Sequence, residues 1–559
     1  MATNSYPGKT LTETPRRGIS WPRLARRLMP ADHSPVPGAD GNGSGPAPGN
    51  PGGRAPAAAA ESASPRPDQR SPRPDQRSPR PGRTSPRPGR GTTSPELSAA
   101  IGAELAPRVR GPVLLPGQAG YDDERAGYNL LADHRPAVLV GATGPADVMA
   151  AVAFATDRDL PVGVLNSGHG APATDPDAML INTRRMQGVR VDPFTRVARV
   201  EAGATWDRVI HEAAAFGLAP LNGSASSVGA IGYILGGGLG VLGRTFGYAA
   251  DHVHSIDVVT AHGALRTATP HQFADLFWAL RGGKGNFGVV TSAEISLFPV
   301  SRLYGGGLLF RGSNAPEVLN AYRRWVKKVP EEMSSSIALI RFPLGPEFPP
   351  ELRGRFIVHV RIAYHGSAAD GEELVRPLRK AAVPLLDTVA DMPYTDVEKI
   401  HNDPVEPFRL HERTAYLNGL DEDAVDAFVD VAGPDSTCPL RLVELRHLGG
   451  ALSRPPEVPN AVGIRDGEFL LYMASEADPA GNVRHLEEYA DLVSAQMAPW
   501  STGGTSVNFL GAGNATQDWV RTAYAPDDYR RLVRTKRNYD PENIFRITHN
   551  IPPAVSVDG

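Results

Sequence analysis

Two stretches of this chain hold residues whose types and spacing suit chemistry. The first is Asn166-Ser167-Gly168-His169-Gly170, and the second is a glycine-dense segment that begins at Ser224. An imidazole flanked by residues without a Cβ sits on backbone that can approach a flat ligand closely. Taken alone, a histidine in a turn is more often an exposed or hydrogen-bonded residue than a ligand. The second segment runs Ser224-Ala-Ser-Ser-Val228-Gly229-Ala-Ile-Gly232-Tyr233-Ile-Leu-Gly236-Gly237-Gly238-Leu-Gly240. It is not a dinucleotide fingerprint, which needs G-x-G-x-x-G directly after a strand. Glycines this dense disfavour regular helix or strand. The expectation is a loop that presents backbone N–H groups to a pyrophosphate or, without a ligand, a loose loop.

Other groupings say less. Glu444 and Arg446 alternate along a β-like run and so share one face, either a solvated surface or the lining of a cavity. His252 and His254 would face the same way on a strand and suggest a metal pair, but no third ligand follows by spacing. No metal is expected. A G-x-S-x-G nucleophile elbow is absent, which leaves a hydrolase reading without support. The single cysteine, Cys438, allows no intramolecular disulfide and reads as a small core or surface residue.

The elements that must position these residues follow from periodicity. Ala137–Val140 and Leu160–Leu165 read as buried strands around a helix from Ala146 to Ala155, so a strand–helix–strand unit leads into the His169 loop. Met179–Ile181 is a further strand. Val189–Val191 and Val197–Val200 flank Asp192-Pro193-Phe194-Thr195 as a hairpin. Thr205 to Phe216 is an amphipathic helix that stops at Gly217. From about Arg302 the pattern turns to alternating β-runs, Arg355–Ile362 and Leu442–Arg446 among them, with helices over Glu317–Lys328 and Asp421–Val431. That predicts an antiparallel sheet covered by helices on one side. A last helix ends before Asp540-Pro541.

In order and spacing, these pieces resemble the berberine-bridge-enzyme-like branch of the FAD-linked oxidases, the vanillyl-alcohol-oxidase/PCMH superfamily. The resemblance covers nearly all of residues 97–552. It rests on the two stretches above and on Gly111–Gly117 with Tyr121-Asp122, Gly203-Ala204-Thr205-Trp206, and Gly243-Arg244-Thr245-Phe246-Gly247. It rests further on Asp251 to Ala261, Leu276 to Thr291, Val507-Asn508-Phe509 and Tyr539 to Arg546. It implies an α+β fold: a PCMH-type FAD-binding domain of two α/β subdomains, plus a substrate domain with an antiparallel sheet flanked by helices. The implied division is a Pro/Arg/Ser-rich tail over 1–95, the FAD domain over 96–300, the substrate domain over 301–505, and a C-terminal segment over 506–559 that returns to the FAD domain.

The resemblance also implies roles. FAD would be held by Ser167, Gly168, His169, Gly170, Ser224, Val228, Gly229, Gly232, Tyr233, Gly236, Gly237, Val290, Asn508 and Asn550, covalently through His169. Many relatives add a second link through a cysteine. Ala225 stands at that position here, so the thiol route is closed. Relatives often have Arg-Ser-Gly-Gly-His where this chain has Leu165-Asn-Ser-Gly-His169; Ser167 keeps a small residue and adds a hydroxyl. Relatives often place a tyrosine where this chain has Ser506, which leaves the catalytic base unidentified. Glu444 and Arg446 are the catalytic candidates, as lining of the substrate cavity. Val228 matches a position that governs oxygen access in relatives, where valine goes with permissive enzymes. The implied activity is hydride transfer from a small organic substrate (alcohol, sugar or secondary metabolite) to FAD, with O2 as acceptor and H2O2 as product. A flavin-binding protein without turnover is the alternative, motivated by Ser506.

Composition agrees with this and excludes other classes. With 559 residues the chain is too long for one ordinary core. Residues 1–95 carry 15 Lys/Arg against 6 Asp/Glu, whereas the remainder carries 43 against 55. An acidic globular part argues against a nucleic-acid partner. No run approaches a membrane span, and neither Arg16-Arg17 nor Arg26-Arg27 precedes an apolar run, so the expectation is a cytoplasmic protein without a membrane partner. The tail repeats Ser64-Pro-Arg-Pro-Asp-Gln-Arg70 with variations. It cannot bury enough apolar surface to order itself, and its expected state is disordered and partly polyproline-II. An SH3-type ligand, a basic tether and a plain expanded tail are its open readings.

Overall fold

The structure, a computed structural model, describes residues 94–346, 348–511, 513 and 515–554. The tail expected over 1–95 lies, up to residue 93, outside the described residues. The described residues all belong to one compact unit, and the fold is α+β.

Three sheets make its frame. The first holds β1 (Val113–Leu114), β2 (Val138–Gly141), β3 (Val162–Leu165) and β4 (Met179–Asn182) in the order β1-β2-β4-β3. β2, β4 and β3 run parallel. The helix Pro145–Thr156 crosses from β2 to β3, as the apolar spacing predicts. Alternate residues feed two faces: Val138, Val140, Met179 and Ile181 meet that helix, while Leu139, Leu165 and Leu180 pack on the opposite side with Tyr121. Strands buried on both faces read as continuous apolar runs, which is what Ala137–Val140 shows.

The second sheet is antiparallel: β5 (Val189–Asp192), β6 (Val197–Glu201), β7 (Val253–Thr260), β8 (Ala264–Ala268) and β9 (Val289–Ser296), ordered β5-β6-β9-β7-β8. β5 and β6 are the hairpin read from the sequence. The helix Trp206–Ala214 covers this sheet with Trp206, Val209, Ile210 and Ala213.

The third sheet spans β10 (Arg302–Arg311), β11 (Met333–Arg341), β12 (Phe356–Tyr364), β13 (Leu386–Asp387), β14 (Ala390–Pro393), β15 (Leu410–Leu417), β16 (Leu442–His447) and β17 (Phe469–Glu476). Its path is β13-β10-β12-β11-β16-β17-β15, with β14 paired to β10. The period of two divides it sharply. Ile337, Leu339, Val358, Val360, Val443, Leu445, Leu471 and Met473 face a core built with the helices Ala315–Trp325, Ala368–Arg379, Glu422–Ala432 and Arg484–Gln496. Cys438 is buried in that core. The other face carries His359, Arg361, Glu412, Glu444, Arg446 and Tyr472, polar side chains that the strand register sets side by side.

The C-terminal stretch closes on the first two sheets. Ile547 bridges to Gly163, and the N–H of Val162 donates to Ile544 O at 2.9 Å. The helix Pro526–Tyr539 brings Lys536, fully buried, to donate to Asn286 O at 2.7 Å and to Asp540 Oδ2 at 2.6 Å. Asn286 also donates to His549 O at 2.9 Å. Asn550 is thereby fixed near the Lys284–Phe287 turn.

Candidate active site

The His169 loop leaves β3 and folds back under the segment before β2. Gly168 adopts φ of 76°, and a Cβ there would lie 2.7 Å from the Cα of Gly127. Only glycine fits this approach at this backbone angle. The N–H groups of Tyr128 and Asn129 donate to Ser167 O and Gly168 O at 2.8 and 3.2 Å. Tyr128 then lays its ring flat on His169, with centroids 3.8 Å apart and planes 14° from parallel. The imidazole's Nδ1 is 2.9 Å from Ser167 Oγ, which also accepts from the N–H of Gly229 at 3.1 Å. So Ser167 joins the histidine loop to the glycine segment. Burial pulls the His169 imidazole down to about 4, so it is neutral at physiological pH.

The glycine segment departs from the expected irregular loop. Gly229 caps a short helix, Ala230–Leu235, that contains Gly232 and Tyr233. Its buried residues Ala230, Ile231, Ile234 and Leu235 stabilise it within the core in spite of Gly232, a case of packing overriding propensity. The irregular part comes after, where Gly237 and Gly238 have φ of 105° and 80°. Gly236 leaves no room for a side chain, because a Cβ would overlap Asn508 Oδ1. Asn508 donates from Nδ2 to Tyr233 O at 2.9 Å and accepts from Lys284 Nζ at 2.8 Å. Lys284 itself has φ of 57°, a left-handed conformation that a lysine holds only under tertiary constraint. Burial brings its ammonium down to about 8, with Glu412 acting in the opposite sense.

The cradle's other predicted members are placed as follows. Val228 is half-buried against the core of the second sheet. Ser224 lines a cavity with Leu239 and Gly240. Val290 sits in β9 opposite Val258 with its side chain in the core, so its contribution to a ligand is limited to backbone.

The residues present fit FAD. A Cβ built at Gly170 or Gly232 meets no atom, so both glycines border open space. His169 Nε2, Tyr233 Oη, Ser227 Oγ and Asn550 Oδ1 are buried without a protein partner. A buried polar atom left so costs about 1–3 kcal/mol, which a bound polar group relieves. Ser167, Gly168, His169 and Gly170, together with Gly229–Gly237, Asn508 and Asn550, would hold it.

The polar face of the third sheet stands over this cradle through Phe509, the residue after Asn508. The Arg446 guanidinium lies 5.2 Å from the Phe509 ring and 5.3 Å from the Tyr472 ring. Tyr472 donates to Glu412 Oε2 at 3.0 Å. Glu412 is buried, and burial pushes its carboxyl up to about 7, against the lowering effects of Tyr472, Lys284 and Arg446.

Glu444 and Arg446 do share a face, and Arg446 lines the cavity. Arg446 keeps its place in that lining, whereas Glu444 is committed to an ion-paired network. Arg361 Nη1 donates to Glu444 Oε1 at 2.6 Å and Arg446 Nε to Oε2 at 2.9 Å. Burial would raise the Glu444 carboxyl, but Arg446 and Arg361 outweigh it and hold it far below the carboxylate range. A carboxylate so held accepts protons poorly. Nor do His252 and His254 form a pair. His252 belongs to the turn before β7 and its Nε2 meets Phe246 O at 2.6 Å, while His254 Nε2 meets Ser296 Oγ at 2.8 Å. Among the described residues no cluster of ligands suits a metal ion.

Sequence reasoning passed over Tyr128, Lys284, Arg361, Glu412 and Tyr472. Lys284 and Arg361 lie inside runs that were read for their pattern alone. Glu412 had one visible signal, a charged residue at an inward position of the β-run Leu410–Leu417.

Comparison with known proteins agrees with this geometry. The FAD binding domain family matches residues 136–269, and the berberine and berberine-like family matches 488–552. The (R)-6-hydroxynicotine oxidase of Paenarthrobacter nicotinovorans is 26% identical over 463 residues, covering 80% of this chain and 98% of that protein. The xylooligosaccharide oxidase of Thermothelomyces thermophilus is 25% identical over 510 residues, covering 83% and 96%. The crystal structure of 6-hydroxy-D-nicotine oxidase from Arthrobacter nicotinovorans superposes with a TM-score of 0.71 at 23% identity, covering 80% of this chain and 98% of that one. The stacked His169 loop, the glycine cradle and these matches place the chain among the FAD-dependent oxidoreductases of the berberine-bridge-enzyme-like family.

Proposed function

We propose that this protein is an oxidase of a small hydroxylated or amine substrate, with FAD linked covalently to His169 and Glu412 as the proton acceptor. The observation that carries the reading is the buried Glu412 carboxyl, with a carboxyl value near 7, on the sheet face above the cradle. Bound FAD supplies the acceptor for a hydride and passes the electrons on to O2, giving H2O2. Everything else is the work of the chain's own side chains.

His169 is neutral and has Nε2 unpaired, the state an imidazole needs to carry a covalent bond. Tyr128 on one face and Ser167 at Nδ1 fix the ring plane. Glu412 is balanced between its two protonation states near neutral pH, which suits a general base. Tyr472 holds the Oε2 end of that carboxyl and so orients it. Arg446, beside the rings of Tyr472 and Phe509, keeps both in place and adds positive charge that favours the carboxylate form of Glu412. The burial of this face excludes water, so each of these interactions is stronger than in solution.

O2 as acceptor is supported by Val228, a short side chain at the position that governs oxygen access in relatives. The reading without turnover rested on Ser506. That residue lines a cavity with Tyr248 and Tyr416, and Glu412 with Tyr472 supplies the acid–base group missing there. Anaerobic mixing with a panel of sugars, alcohols and amines tests the proposal: one class bleaches the flavin, and air restores it with peroxide formed. A flavoprotein that no member of the panel bleaches would favour the reading without turnover.

A further inference from the structure

The cavity between Ser224 and the third sheet has an unusual lining for a site that takes neutral alcohols. Three guanidiniums, those of Arg244, Arg361 and Arg446, border it. Glu444, fully buried, is bound to both Arg361 and Arg446, and Asp403 also acts on Arg446. Among the described residues Arg244 has no carboxylate partner. Its Nε donates to Met333 O at 2.8 Å and its Nη1 to Leu448 O, while the nearby Glu331 is bound by Arg454 at 2.7 and 2.8 Å. The two histidines in the lining do not change the balance by titrating. Burial and the neighbouring arginines hold both His401 and His447 well below the usual imidazole range. The cavity lining therefore holds three guanidiniums and no carboxylate, while Glu444 and Asp403 act on Arg446 from outside the lining.

Its hydrogen-bonding groups are unsatisfied in a matching way. Arg361 is 3% exposed, and its Nε has no protein partner although its Nη1 is committed to Glu444. Ser334 Oγ and the Nδ1 atoms of His401 and His447 are likewise buried without partners among the described residues. Unpaired donors and uncompensated charge at one cavity both cost free energy unless a ligand answers them. A planar oxyanion answers both at once, since guanidinium and carboxylate geometries match.

We infer that the substrate of this site is a carboxylate-bearing small molecule, a hydroxylated organic acid, whose carboxylate lies against Arg361 and Arg446. The inference rests on the oxidase reading, of which it specifies the substrate class. Arg361 Nε and the outer nitrogens of Arg446 take the carboxylate oxygens. Ser334, His401 and His447 take hydroxyl groups of the same molecule. Glu444 is then a positioning residue, which fixes both guanidiniums and never touches the reacting atoms.

Calorimetric titration of the flavin-loaded protein tests this, with D-glucuronate and mandelate against D-glucose and benzyl alcohol, and inorganic phosphate as a separate arm. At least one carboxylate should bind tenfold or more tightly than its neutral counterpart, and added salt should narrow the gap. Arg446→Gln should abolish the preference and Arg446→Lys should restore part of it, with flavin still bound in both. Ser334→Ala, a small change at the cavity wall, should weaken D-glucuronate binding and leave the fold intact. Equal or tighter binding of the neutral probes, binding by none of the four, or phosphate as the tightest ligand would overturn the inference. Flavin bleaching by a neutral alcohol in such a carboxylate-blind protein would leave the oxidase reading standing. Carboxylate binding without bleaching by any compound would remove that reading instead.

Discussion

Tyr472 on β17 donates its phenolic hydrogen to Glu412 Oε2 on β15 across 3.0 Å. The strands are antiparallel neighbours, and Tyr472 is registered opposite Thr414, two residues along from Glu412 and on the same face. A diagonal pair of this kind is within reach for long side chains. It supplies a buried acid–base couple on the sheet face that stands over the glycine cradle.

Glu412→Gln should lower kcat/KM by roughly 10²-fold or more, the usual contribution of a positioned general base. The unaltered enzyme needs the carboxylate form. Its kcat/KM should therefore fall as pH drops below about 7, the value to which burial raises the carboxyl. The glutamine variant should lack that limb. Steady-state peroxide formation from pH 5 to 9 reads both outcomes.

Tyr472→Phe removes the hydrogen bond that lowers the Glu412 carboxyl. With that bond gone burial acts with less opposition, so the acid limb of the pH profile should move to higher pH. A limb that stays in place would mean the group seen in the profile is not Glu412.

Arg361→Leu leaves Glu444 buried with one guanidinium in place of two. Losing one partner of a buried ion pair costs about 3–5 kcal/mol. The variant should unfold at clearly lower denaturant concentration, and Arg361→Leu combined with Glu444→Leu should recover much of the loss. A single variant as stable as the parent would show that the network contributes little.

Val228→Leu should slow reoxidation of the reduced flavin by air and leave its reduction by substrate unchanged. Stopped-flow measurement of the two half-reactions separates these effects. Reduced parent enzyme that persists for minutes in aerated buffer, yet reacts with a quinone, would mark a dehydrogenase.

Much of this architecture could be read from the chain because it depends on period. Val138 and Val140 against Leu139, or Val358 and Val360 against His359 and Arg361, assign residues to faces before any contact is known. The cradle could be read because Gly168 and Gly236 stand where backbone angle or a neighbouring side chain admits no Cβ. Two things were not legible. The helix Ala230–Leu235 depends on four side chains that reach a distant core, and local glycine content points the other way. The Glu412–Tyr472 couple depends on strand register between segments about sixty residues apart, and no spacing rule gives that. Glu444 was singled out for its alternation with Arg446, but its partner Arg361 lies two strands away on β12, and that pairing decides its charge state.

The most direct test of the account is whether flavin stays on the polypeptide after acid denaturation. Ala225 closes the thiol route, and the buried, neutral His169 under Tyr128 is the attachment point this geometry supports. Acid-precipitated protein should keep its yellow colour, a digest should give one flavin-bearing peptide containing His169, and His169→Ala should release its flavin to the supernatant. Unaltered protein that loses its flavin to the acid supernatant, or that is colourless as purified, would contradict the account.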